Sequence, residues 1–140
     1  MTERIKVIFL CTGNSARSQM AEGLARHLSK GRVDAYSAGL EPKGLHPLAV
    51  AAMDEIGIDI RSQKSKDIDP KLFSGVDLII TLCGDAEARC PVSPPHIRRE
   101  HWPLEDPARA VGSEEERREA FRKTRDRLRE RIIDLLEEFR

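Results

Sequence analysis

The segment from Ile5 to Ser18 reads IKVIFLCTGNSARS, and it predicts the fold more strongly than any other stretch of the chain. Its first six residues are apolar except for Lys6, a pattern typical of a strand buried on both faces of a sheet. A loop containing Gly13 follows this strand. From about Ser18 to Lys30, apolar side chains recur every fourth residue, which predicts an amphipathic helix. The segment is therefore a strand, a loop and a helix in succession.

The rest of the chain continues this alternation. Further strands are predicted from Val33 to Ala38, from Val76 to Leu82, and around His101 and Trp102. Helices are predicted from Pro47 to Ile56 with Gly57 as the stop, from Asp69 to Phe73, and in a long C-terminal segment that Ser113 caps. Alternating strands and helices favour an α/β fold of three layers, α/β/α, in which helices cover a parallel sheet. In such folds ligands bind at the carboxyl ends of the strands, where the loop at Gly13 would lie.

Composition excludes several classes of function. The 140 residues fit one domain, residues 1–140, and the 24 basic side chains equal the 24 acidic ones. This balance gives no electrostatic reason to expect nucleic acid or an acidic membrane as partner. No apolar run approaches the roughly 18 residues of a membrane span, and the N-terminus lacks a signal peptide's apolar stretch. We therefore expect a cytoplasmic protein.

The chain has three cysteines, Cys11, Cys83 and Cys90. An odd number in a cytoplasmic chain argues against a framework of structural disulfides. Zinc is not indicated, because no pair has C-x2-C spacing and no histidine stands at ligand spacing. The three thiols are therefore either buried bystanders or reactive groups.

The loop from Cys11 to Arg17 has the features of a tetrahedral-anion site. Its backbone N–H groups and the following helix dipole would attract an anion, and Arg17 can grip two of its oxygens. The same positive field favours the Cys11 thiolate, which is the reactive form, and Ser18 could donate its hydroxyl to it. Gly13 can adopt backbone angles that other residues resist, and Asn14 can brace the loop. The predicted oxyanion-binding set is Thr12, Gly13, Asn14, Ser15, Ala16, Arg17 and Ser18.

A cysteine and an arginine six residues apart are weak evidence by themselves. Cys83 and Arg89 repeat the spacing, but Asp85 and Glu87 would repel an anion there, and Cys90-Pro91 follows where a helix should begin. The first loop instead follows a strand, precedes a helix and contains no acid. Context thus favours a reactive cysteine over the alternative of a small core residue at a strand end.

The motifs of the chain resemble the low-molecular-weight tyrosine phosphatase family, and more closely its thioredoxin-coupled arsenate reductase branch. They are Cys11–Gly23, Tyr36-Ser37-Ala38-Gly39, Thr81-Leu82-Cys83, Cys90-Pro91, Glu100-His101-Trp102 and Asp106-Pro107-Ala108. The resemblance implies a four-stranded parallel sheet flanked by helices. It also implies that Cys11 attacks arsenate, that Arg17 and the loop amides bind its oxygens, and that Asp106 protonates the departing oxygen.

The other two cysteines indicate the reaction. Reducing As(V) to As(III) takes two electrons, which two thiols supply by forming a disulfide. In the implied relay, Cys83 attacks the Cys11–arsenic adduct, and Cys90 then attacks Cys83, so that a redox-active Cys83–Cys90 disulfide is left for thioredoxin. Seven residues of regular helix would separate their Cα atoms by roughly 10 Å, whereas a disulfide allows at most about 7 Å. We therefore expect irregular structure after Cys83, or unfolding on oxidation.

Potassium is a second implication of the resemblance, and the sequence argues against it. Asn14, Glu22 and Ser37 match ligand positions, but the acidic ligand falls on Lys66, with Asp67 one step away. A lysine ammonium at that position could replace the cation.

Two other functions remain open. The first is a phosphatase that uses Cys11, Arg17 and Asp106. Pro107-Ala108-Arg109 offers no aromatic wall for a phosphotyrosine ring, although weak activity on small phosphoesters is compatible with the site because phosphate and sulfate mimic arsenate. The second is a non-catalytic module that binds an oxyanion or senses thiol oxidation. We expect a monomer in each case.

Overall fold

The computed structural model describes residues 4–84 and 97–139. Its strands are β1 (Ile5–Cys11), β2 (Val33–Gly39), β3 (Leu78–Thr81) and β4 (Arg98–His101). Its α-helices are α1 (Arg17–Ser29), α2 (Pro47–Asp54) and α3 (Glu114–Glu138). Two short 3-10 helices cover Pro70–Phe73 and Pro107–Arg109.

The four strands form one parallel sheet in the order β2-β1-β3-β4. The register pairs Cys11 with Gly39 and Leu10 with Thr81, and Thr81 in turn pairs with His101. All four strands therefore end at the same edge of the sheet, where α/β folds bind their ligands. The predicted α/β class and four-stranded parallel sheet are confirmed.

The core lies on the two central strands. Every residue from Val7 to Leu10 is fully buried, as is every residue from Leu78 to Ile80, which explains why these stretches are almost continuously apolar. Helix α3 begins at a capping box in which Ser113 and Glu116 bond each other's backbone N–H groups, as the sequence predicted for Ser113. No helix in the described ranges is long and apolar enough to cross a membrane.

Element boundaries differ slightly from the predictions. Helix α2 ends at Asp54 and not at Ile56, since the chain turns at Gly57, which has a φ of 79°. Strand β3 is shorter than Val76 to Leu82, and β4 comes three residues earlier than predicted, so that Trp102 is a buried core residue after its end. Irregular structure is predicted from Cys83 to Pro95, and from residue 85 onward this stretch lies outside the described ranges.

Candidate active site

The loop that joins β1 to α1 is held by its carbonyl groups. Every backbone carbonyl from Cys11 to Ala16 accepts a hydrogen bond from the surrounding protein. The donors are the backbone N–H groups of Leu40, Glu41, Lys43, His46 and Met20 and the side chains of Gln19 and Ser65. The backbone N–H groups from Thr12 to Arg17 donate no hydrogen bond to any other described residue. These amides at the start of a helix are therefore available to an anion.

Asn14 is the internal brace of this loop, and it is completely buried. Its side-chain Oδ1 accepts a hydrogen bond from the Lys66 N–H at 2.8 Å, and its Nδ2 donates to Ser18 Oγ at 2.8 Å. It also has a φ of 45°, whereas Gly13, which we expected to take the unusual backbone angles, has no positive φ. Asparagine tolerates this left-handed conformation better than most residues because its short side chain bonds locally.

Gly39, at the end of β2, has a close neighbour in this loop. A Cβ atom on Gly39 would lie 2.6 Å from the Asn14 backbone nitrogen and 2.8 Å from the Thr12 carbonyl oxygen. Both contacts are with backbone, which has little room to move. Glycine at this position therefore lets the loop lie directly against the end of β2.

Cys11 is the last residue of β1, and only 2% of it is exposed. Its Sγ lies 2.8 Å from Ser18 Oγ. Because Ser18 Oγ already accepts a hydrogen from Asn14 Nδ2, its own hydroxyl hydrogen is free to point at the sulfur. A hydrogen bond of this kind stabilises a thiolate more than a thiol.

Arg17 and Asp106 come together at the open side of the loop. Arg17 is buried, its Nη1 donates to the Leu104 carbonyl at 3.0 Å, and its Nη2 lies 3.8 Å from Asp106 Oδ2. The Asp106 carboxylate, about a third exposed, also accepts from the Ala108 N–H and begins the 3-10 helix at Pro107. The carbonyl and the carboxylate thus hold the guanidinium beside the anion loop.

A second thiol borders the same loop. Cys83 follows β3 by two residues, is 8% exposed, and its Sγ lies 3.2 Å from Thr12 Oγ1. Because β3 is the neighbour of β1 in the sheet, parallel register brings these chain ends together. Both Cys11 and Cys83 are buried. Cys90, the third predicted member, lies outside the described residues, as does the Arg89 of the rejected motif.

The cleft above the loop has walls of which the sequence predicted only the segment from Asp106 to Arg109. Lys43 to Pro47 form one side, Pro103 to Ala110 another, and part of α3 a third. His46 caps α2, since its Nδ1 accepts from the Leu48 N–H, and its ring packs on Phe121 with centroids 4.7 Å apart. Burial, aided by the positive charge of Arg117, lowers the pKa of His46 below its usual value, and Asp106 opposes this shift. The sequence signal for this role was the position of His46 directly before Pro47. Proline is favoured in the first turn of a helix, so the residue before it is a candidate N-cap.

The three residues that match potassium-ligand positions all bond to other groups of the chain. The Glu22 carboxylate accepts from Ser37 Oγ at 2.6 Å and faces Lys66 Nζ at 3.8 Å. Asn14 Oδ1 accepts from the Lys66 N–H and from Gln19. Burial lowers the pKa of Lys66, although the charge of Glu22 opposes this effect. No cluster of three or more acidic, cysteine or histidine side chains that could hold a metal occurs in the described ranges.

The fold, the backbone amides of the loop, the buried Cys11 thiol and the adjacent Arg17 together have the composition of a cysteine-based oxyanion site. The family model for low molecular weight phosphotyrosine protein phosphatase matches residues 6–140, and the chain belongs to this family. Its similarity to particular members extends over nearly its whole length. It is 55% identical over 126 residues to an arsenate reductase of Bacillus licheniformis, which covers 90% of this chain and 91% of that protein.

Solved structures of arsenate reductases are also similar to this chain. The structure titled "An arsenate reductase in the phosphate binding state" has a TM-score of 0.79 and 39% identity, and the match covers 97% of this chain and 99% of that one. A thioredoxin-dependent arsenate reductase of Corynebacterium glutamicum has a TM-score of 0.79 and 26% identity, and covers 99% of this chain and 63% of that one.

Proposed function

We propose that this protein is an enzyme that reduces arsenate to arsenite and is regenerated by thioredoxin. The observation that carries the proposal is the Cys83 thiol, 3.2 Å from Thr12 of the anion loop. A phosphatase that works through a cysteine needs only one thiol, because water hydrolyses the covalent intermediate. Reduction of arsenate needs a second thiol, because two thiols must supply the two electrons. The names of the relatives, arsenate reductase and thioredoxin-dependent arsenate reductase, support both halves of the proposal.

The first step is binding and attack. The free amides of the loop and the Arg17 guanidinium bind the arsenate oxygens. The Cys11 thiolate, stabilised by Ser18, attacks arsenic and forms a sulfur–arsenic bond while one oxygen leaves as water. Asp106 lies 3.8 Å from the arginine that holds the anion, and it donates the proton to that oxygen.

The second step transfers electrons. Cys83 attacks the Cys11 sulfur, so that the bonding pair of the sulfur–arsenic bond stays with arsenic, which leaves as As(III) arsenite. A Cys11–Cys83 disulfide results. Cys90 attacks Cys83, frees Cys11 and leaves a Cys83–Cys90 disulfide, which the dithiol of thioredoxin reduces. Two thiols are oxidised and one arsenic is reduced, so the electrons balance. The redox-active disulfide is the only cofactor that this sequence of steps requires.

We further propose that residues 1–140 form one domain, which works as a monomer in the cytoplasm. Arsenate is the substrate, with phosphate and sulfate as mimics, and thioredoxin is the protein partner. No nucleic acid, membrane or potassium ion takes part in any of these steps.

The test is a turnover assay on Cys90→Ser. Arsenate-dependent NADPH consumption is measured with thioredoxin and thioredoxin reductase, for wild type and variant. The variant can complete one reduction but cannot pass its disulfide on, so we expect steady turnover to fall by at least about 100-fold. A variant as fast as wild type would disprove the three-cysteine relay.

Phosphatase activity is the second candidate, because the family is described by it. Pro107–Arg109 forms a short 3-10 helix beside the cleft and contains no aromatic side chain to hold a phosphotyrosine ring. We therefore expect at most slow hydrolysis of p-nitrophenyl phosphate. Such hydrolysis would survive Cys83→Ser, whereas arsenate reduction would not, and the same variant therefore separates the two activities.

A further inference from the structure

Glu22 is a buried carboxylate on α1, one turn after Ser18, with a side chain that is 3% exposed. A charge at such a position is costly unless opposite charges and hydrogen bonds compensate it. Its Oε1 accepts from Ser37 and lies 3.8 Å from Lys66 Nζ, and its Oε2 lies 3.0 Å from Arg26 Nη1. Both oxygens therefore face cations that belong to the chain.

The backbone of Lys66 is joined to the nucleophile. Its N–H donates to Asn14 Oδ1, and its carbonyl accepts from the Gly39 N–H, both at 2.8 Å. Asn14 then donates to Ser18, which contacts the Cys11 sulfur. Three hydrogen bonds thus connect Lys66 with Cys11. The ammonium of Lys66 donates to the Lys64 carbonyl at 2.7 Å and faces Glu22 at 3.8 Å.

We propose that Lys66 is a positioning residue whose ammonium neutralises Glu22 from within the chain, so that the anion loop keeps its shape without an alkali cation. A potassium ion needs several converging oxygens with free lone pairs. At this position the oxygens of Glu22 and Asn14 already accept hydrogen bonds or face cations, and Lys66 and Arg26 would repel a further positive charge.

The inference rests on the proposed function only in taking Cys11 as the nucleophile. Two of the measurements that test it need no arsenate. The first is the midpoint of thermal unfolding, and the second is the rate at which iodoacetamide alkylates Cys11, measured by mass spectrometry. Arsenate turnover is the third readout. If wild type reduces no arsenate but the first two readouts behave as expected, the proposed function fails and this inference stands.

The first experiment uses wild type in KCl, NaCl and tetramethylammonium chloride at about 0.15 M. Tetramethylammonium matches the ionic strength but is too large for a protein oxygen site. We expect the same unfolding midpoint and the same alkylation rate in all three salts. A rate in KCl more than about twofold above that in tetramethylammonium would overturn the inference, because a cation site would then contribute to the loop.

The second experiment compares Lys66→Met with Lys66→Arg, and uses Lys64→Met as the matched control from the same segment. Lys64 is exposed, and its carbonyl rather than its side chain contacts Gln19 and Lys66. We expect Lys66→Met to slow alkylation of Cys11 roughly tenfold, and Lys66→Arg and Lys64→Met to stay near wild type. Partial recovery of Lys66→Met in KCl alone would support the inference. A Lys66→Met protein as reactive and stable as wild type would disprove it. Should this variant fail to fold, the wild-type salt comparison still decides.

Discussion

Ser18 shows how one hydroxyl can prepare a nucleophile. Its oxygen accepts a hydrogen bond from Asn14, which leaves its hydroxyl hydrogen available to Cys11, and both partners lie at 2.8 Å. A hydrogen bond from Ser18 to the Cys11 sulfur therefore depends on Asn14, which is completely buried.

Ser18→Ala tests this arrangement. Hydrogen bonds to charged groups contribute about 1.5–3 kcal/mol, so alkylation of Cys11 by iodoacetamide near neutral pH should slow by roughly 10-fold or more. The free energy of unfolding should also fall, because the buried Asn14 amide loses its acceptor. Ser15→Ala is the control, since it removes a hydroxyl from the same loop but leaves the Cys11–Ser18 contact intact. Equal alkylation rates for the two variants would contradict the assigned role of Ser18.

At the scale of the elements, an arginine of α3 joins this helix to α2. Arg125 on α3 is 8% exposed, and its Nη1 donates to the Ala52 carbonyl at 2.8 Å and to Glu55 at 2.9 Å. Arg122, one turn earlier, also bonds Glu55, and the two guanidiniums lower the pKa of that carboxyl, Arg122 having the larger effect. The carbonyl at the end of α2 thus depends on Arg125, while Arg122 makes only ion pairs with glutamates at the surface.

We expect Arg125→Met to cost roughly 1–3 kcal/mol of unfolding free energy, because it leaves the Ala52 carbonyl without that donor. Arg122→Met should cost less than about 1 kcal/mol, as exposed ion pairs usually do. Urea unfolding of the two variants measures the difference. Equal losses would mean that the ion pairs, and not the buried hydrogen bond, hold α2 against α3.

At the scale of the whole molecule, His46 connects three parts of the structure. Its backbone N–H bonds the Ser15 carbonyl of the anion loop, its ring nitrogen caps α2, and its ring packs on Phe121 of α3. The Nδ1 acceptor role requires the tautomer with its proton on Nε2. Protonation of Nδ1 would break the cap, which agrees with a pKa lowered by burial and by Arg117.

This lowered pKa makes stability depend on pH. As pH falls from about 7.5 to 5.5, the unfolded chain protonates its histidine first, with a pKa near 6.5. The unfolded state then binds more protons than the folded state, and the free energy of unfolding falls. His46→Asn keeps a capping oxygen but does not titrate. The difference in unfolding free energy by which wild type exceeds the variant should therefore shrink as pH falls. Urea unfolding without oxyanion at several pH values measures it, and a constant difference would refute the assignment.

Much of this structure follows from local pattern. The apolar runs at Ile5–Leu10 and Val76–Leu82 predict buried strands because only a strand covered on both faces needs no polar alternation. Apolar side chains at every fourth residue predict α1, and Ser113 with Glu116 predicts the start of α3. Even the anion loop is recognisable, since the strand before it and the helix after it make its amides an anion site.

The sequence by itself thus determined the fold class, and it predicted the anion loop and the three thiols of the proposed reaction. Tertiary structure alone decided how they meet. Thr12 and Cys83 are 71 residues apart, and Asn14 and Lys66 are 52 apart. Periodicity describes a side chain's own helix or strand, whereas these contacts depend on the register between strands and on which distant segment supplies hydrogens to each loop carbonyl. For that reason the sequence could point to Cys11 and Lys66, but not to the hydrogen bonds that join the loop carbonyl of Ser15 to His46 and the Asn14 side chain to the Lys66 backbone.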